Sequence, residues 1–133
     1  MSWTQPVFDR TLADVQQQTS KGFCNASDLN RVEQNCTVLA EMLGVVITTK
    51  AWQQTDFPTV SEIGRISSNI AALRAAYYTR QSTPATPENP LNTWQKWNAA
   101  EAILHDLHSI YTANLEAVQR SGELILGDTI GVM

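Results

Sequence analysis

Apolar residues recur at steps of three and four along much of this chain, and the longest such stretch covers residues 93–120. There Trp97, Ala100, Ile103, Leu104, Leu107, Ile110, Tyr111, Leu115 and Val118 share one broad side of a helix. One stripe passes through Ile103, Leu107 and Ile110, and a second through Leu104, Tyr111, Leu115 and Val118. A helix apolar over so wide an arc packs against two neighbours rather than one. The stretch is therefore expected to be the central helix of a bundle, opened by a Thr93 cap and ended by Gly122.

Two earlier stretches supply the neighbours. Leu29, Val32, Cys36, Leu39 and Leu43 form a seam between a cap at Asn25 or Ser27 and a stop at Gly44. Ile63, Ile66, Ile70, Leu73 and Tyr77 form another, behind a Thr59–Glu62 capping box. On that helix Glu62, Arg65, Asn69 and Arg80 read as a solvated face. A shorter first helix is expected from an Asp9 cap, with Leu12 and Val15 on one side, ending in the polar run before Gly22. Residues 45–49 are β-branched and suit one short strand. Pro84, Pro87 and Pro90 make 81–92 an extended loop. The apolar tail 123–133 suits a strand, a hairpin or an arm. The pattern gives a mainly α, four-helix bundle-like single domain over 1–133, with at most a minor short β pair. It shows no internal repeat.

Composition narrows the function. At 133 residues the chain is one domain long and can bury roughly two-thirds of its unfolded surface without staples. A hydrophobic share of 43% and a charged share of 17% are those of a globular protein. A net charge of -4 and scattered Lys and Arg argue against nucleic-acid partners and anionic membrane surfaces. No basic leader precedes an apolar core, and no apolar run reaches membrane-span length. Cys24 and Cys36 make no disulfide framework, and Cys36 falls on an apolar seam.

Candidate chemistry is sparse. Glu101, His105 and His108 share a face of the long helix and are a transition-metal ligand set by residue type. Their spacing fits neither HExxH nor the paired Glu-x-x-His of di-iron bundles. The expected reading is a solvated strip beside the apolar face, with no metal or other cofactor. Cys24 has no recognisable base beside it, and neither GxSxG nor a phosphate-cradling glycine loop is present. No catalytic residue is assigned, and the chain is expected not to be an enzyme. Trp94 and Trp97, in the first turn of the long helix, are either an end-cap over the core or an aromatic patch for a partner. The other partner candidates are the proline loop 81–92 and Leu124, Ile125 and Leu126, which could extend a neighbour's sheet edge.

Three segments carry a family resemblance. Asn25-Ala26-Ser27-Asp28-Leu29-Asn30-Arg31-Val32-Glu33 resembles a helix start in uncharacterised helical segments of phage and prophage structural proteins of Gram-positive bacteria. Trp52, then Asp56-Phe57-Pro58-Thr59 and Ser61-Glu62, is similar to their linker and next helix start. Arg120-Ser121-Gly122-Glu123 resembles the motif after their last helix. Cys24 and Asn25 stand where those proteins more usually carry an aromatic pair. The resemblance implies a non-enzymatic virion module in tail, baseplate or fibre. It would bind other virion or tail proteins, with homo-oligomers plausible, and pass from host cytoplasm into the particle. The alternative is a small intracellular protein-binding regulator of the toxin–antitoxin type.

Overall fold

The computed structural model describes residues 3–17, 26–56, 58–88 and 91–125, with side chains described as far as 117. Four helices form: α1 (Leu12–Gln16), α2 (Ala26–Leu43), α3 (Val60–Ala76) and α4 (Trp94–Ile125). The mainly helical architecture is the one the periodicity predicts, and α2, α3 and α4 each pack against the other two.

Local signals account for most helix ends. Thr59 and Glu62 exchange backbone N–H bonds as a full capping box. The Thr93 hydroxyl accepts from the Lys96 N–H at 3.2 Å. Gly44 takes φ +72, which lets the chain leave α2 through the left-handed region. Three expectations change. α1 is capped by Thr11 with Asp14 rather than by Asp9, and it buries nothing: Leu12 is 55% and Val15 38% exposed. Gly122 does not end α4, which continues to Ile125. Residues 45–49 are extended but unladdered, and no strand occurs among the described residues. Of the two α2 cap candidates, Ser27 is already inside the helix; Asn25, Cys24 and tail residues 126–133, including Leu126, lie outside the described residues.

The three long helices run parallel, which short turns could never connect. The segment after α2 descends along it, with Thr49 beside Thr37 and Trp52 beside Asn30. It descends along α3 as well, with Thr48 at Asn69 and Lys50 at Glu62. The segment after α3 repeats this. Thr83 and Pro84 lie at Arg74 and Pro87 lies at Ser67, while Thr83 meets Asp106 and Leu91 meets Trp97 on α4. An N-terminal arm, residues 3–11, runs from His108 and Asn35 down to Asn98. Each groove of the three-helix body thus holds one extended segment.

The helices begin at Ala26, Val60 and Trp94, two equal steps of 34 residues. At that spacing the core falls into layers: Val32, Ile66 and Ala100; Cys36, Ile70 and Leu104; Leu39, Leu73 and Leu107. All nine are at most 1% exposed. The three long helices therefore repeat at one spacing, each preceded by an extended segment (the first with α1 in between), which corrects the reading that no repeat is present. Each helix leaves its apolar stripe bare until the other two cover it.

Candidate functional site

The distinctive chemistry of the molecule lies in the grooves, where two glutamates are buried. Glu33 is 2% exposed and Glu101 is fully buried. The Arg65 guanidinium grips Glu33 with both terminal nitrogens, at 2.6 and 2.9 Å, and Trp52 Nε1 donates to the same carboxylate at 2.6 Å. Arg31 grips Glu101 through Nε and a terminal nitrogen, both at 2.8 Å. Arg10 adds a second guanidinium and the Val7 N–H donates at 3.1 Å. Every carboxylate oxygen here meets guanidinium donors, so neither acid is presented to a substrate. These contacts push the cations away from neutrality. Burial opposes the Arg31 charge, but bonds to Glu101 and Asp28 outweigh it and raise its pKa. The Glu33 bond raises that of Arg65.

Asparagines hold the extended segments. Asn30 accepts from the Trp52 N–H at 2.7 Å and donates to the Trp52 carbonyl at 3.0 Å. Asn98 does the same to Arg10 at 3.1 and 2.9 Å. Asn35 does it to Thr4 at 2.9 and 2.8 Å. Asn69 donates to the Thr48 carbonyl at 2.8 Å. A primary amide offers the donor and acceptor that a strand would offer, so Asn30, Asn98 and Asn35 each act as one rung of ladder and satisfy both peptide groups of the residue they grip.

The repeat makes these sets equivalent. In the α2/α3 groove, Asn30 and Asn69 clamp the segment on either side of the Glu33–Arg65 pair. In the α4/α2 groove the residues at the same repeat positions, Asn98 and Asn35, clamp the arm beside Glu101–Arg31. In the α3/α4 groove those positions are Gly64, Ile103, Ser67 and Ala99. There Arg74 and Ser67 hold carbonyls of the proline loop instead.

The residues singled out as metal ligands meet different fates. Glu101 does not lie on a solvated strip, because it is the buried centre of the arginine cluster. His105 lies 3.2 Å from Asp106 and against Phe8, and His108 stacks on Trp3 with centroids 3.9 Å apart. Desolvation, with His105 nearby, lowers the His108 pKa. No group of three or more His, Cys, Asp or Glu among the described residues is arranged to hold a metal ion. Arg65 and Asn69 are likewise not a solvated face, since Asn69 is only 8% exposed. Cys36 is buried and its thiol is pushed up by desolvation, away from thiolate reactivity.

Trp97 is 7% exposed and donates to the Leu91 carbonyl, which places it in the core, while Trp94 is half-buried. Leu124 and Ile125 are helical in backbone. A cleft of about 400 Å³ opens between the start of α2 and Trp52, Gln53 and Pro58. Its one carboxylate, Asp56, accepts from the Gln53 N–H and lies 3.9 Å from Lys50. Sequence periodicity misses Arg10, Asn30, Asn35, Asn98 and the paired role of Glu33. The helix-to-helix spacing that relates Asn30 to Asn98, Asn35 to Asn69 and Glu33 to Glu101 is the signal that could have found all but Arg10.

No family model matches this chain, and neither a curated protein nor a solved structure matches it significantly.

Proposed function

We propose that this protein is a non-enzymatic assembly module of a phage or prophage particle, acting through protein–protein contacts. The observation that carries the reading is the ordered resemblance of three segments, at 25–33, 52–65 and 120–123, to helical segments of phage structural proteins. The first two of these segments contain the groove residues Asn30, Arg31, Glu33, Trp52 and Arg65. A resemblance concentrated on residues that build the body favours a shared scaffold over a shared reaction.

The polar chemistry is compatible with that role. The buried glutamates hold extended segments, with guanidinium donors on every carboxylate oxygen. Among the described residues no helix is long and apolar enough to cross a membrane. Exposed Val46, Val60, Tyr78 and Leu115 offer contact surface.

The test is mass spectrometry of purified particles after prophage induction in the source strain. Peptides of this chain at a stoichiometry matching a tail, baseplate or fibre component are expected. Its absence from particles while abundant in the lysate would overturn the reading and point to an intracellular protein partner.

A further inference from the structure

The two clamped grooves differ in how their occupants are tied. The segment between α2 and α3 is covalently joined to both helices that grip it. The arm lies between α4 and α2 but is not the link between them: it leads into α2 through α1 and residues 18–25. It can therefore leave the groove without breaking a connection between the two helices that grip it.

We propose that the α4/α2 groove is a docking site for an extended, arginine-bearing segment in trans, and that its occupant is residues 3–11 of a second copy of this chain. The groove reads features that any copy's arm carries. Asn35 and Asn98 bind the N–H and carbonyl of Thr4 and Arg10, and Glu101 takes the Val7 N–H and the Arg10 guanidinium. Opposite charges meet there in a dry site, the setting in which a guanidinium–carboxylate pair is most selective. The groove also requires an occupant. With the arm withdrawn, Asn35 and Asn98 lose their backbone partners, and Glu101 keeps Arg31 but loses the Arg10 guanidinium and the Val7 N–H; unpaired buried polar groups are costly.

Exchange preserves these contacts. α1 contributes no buried residue, so it can travel with the arm at no loss to the core. Phe8, Leu12 and Val15, each at least 38% exposed, travel with it as the apolar surface nearest the second copy. The balance between own and foreign arm is then one of concentration. A short tether holds an arm at an effective concentration in the millimolar range, so dilute protein closes on itself and crowded copies exchange. The inference stands apart from the particle reading, since any setting that concentrates the chain would serve.

The experiment uses the full chain with a benzophenone photo-crosslinking residue at Thr4, which is exposed and is clamped through its backbone. Isotopically light and heavy copies are mixed in denaturant, refolded together, and irradiated at about 10 µM and about 1 mM, spanning the effective concentration of the tether. Mixed-isotope cross-links from position 4 to α2 or α4 are expected to rise from a minor to a major share between the two. With Arg10→Met in the light copies alone, cross-links from the light arm to the heavy groove should fall about tenfold or more, the loss expected of a charge-assisted pair, while those from the heavy arm to the light groove persist. Same-isotope cross-links alone at both concentrations would overturn the proposal. So would mixed cross-links that land outside the groove or ignore the Arg10 change. Neither result bears on whether the protein is found in particles.

Discussion

At the scale of single residues, the two arginine-gripped glutamates dominate. Removing one partner of a buried pair strands the other charge, at a cost of about 3–5 kcal/mol, whereas replacing a whole cluster by apolar residues is close to neutral. Arg65→Met, which leaves Glu33 only the Trp52 N–H, should therefore destabilise by about that amount in urea unfolding, and combining Arg65→Met with Glu33→Leu should recover most of it. Equal losses in the single and the double variant would mean that Arg65 acts by packing alone. His108 sets a pH dependence. Its folded pKa lies below the ordinary 6.5, so the folded state binds fewer protons than the unfolded one. Stability is held above pH 6.5 and declines as pH falls from there through the lowered folded value. His108→Gln should flatten that decline in thermal melts between about pH 7 and about pH 5, a range spanning the ordinary histidine value.

At the scale of elements, caps and overhang act differently. Thr59 is exposed yet holds both ends of a capping box, so Thr59→Ala should cost about 1 kcal/mol, read as a shift in the urea midpoint at unchanged slope. α4 has 32 residues against 18 in α2 and 17 in α3, a length of about 48 Å against about 27 and 25 Å. Its residues 113–117 are all exposed. Helix without tertiary packing is marginal, so amides there should exchange with deuterium well before those of 100–107. Equal protection along the whole helix would show that another surface covers the overhang.

The whole molecule is a ring of three units with one groove built differently, which makes its symmetry testable. Ser67 and Ala99 occupy the positions that Glu33–Arg65 and Glu101–Arg31 hold elsewhere. Ser67→Glu alone buries an unpaired carboxylate and should destabilise by about 2–4 kcal/mol. Adding Ala99→Arg should restore part of this, with a coupling of about 1–3 kcal/mol in a double-mutant cycle. Zero coupling would mean that the third groove does not share the geometry of the other two.

Periodicity by itself determined the helices, the seam residues and the Thr59, Thr93 and Gly44 boundaries, because those depend on neighbours within one turn. It determined that Cys36 and Trp97 face the core for the same reason. Whether a polar residue on a helix is wet or buried depends on what lies across from it, and there local pattern misled. Glu101, Arg65 and Asn69 look like solvated positions until extended segments from distant parts of the chain are laid over them. The repeat was written in the sequence but hidden, since of its three core layers only Leu39, Leu73 and Leu107 keep one residue type in every unit. Only the tertiary structure decided that the helices run parallel. Parallel helices need long descending segments, and the partners of those segments lie as far as 94 residues away along the chain, beyond the reach of any local signal.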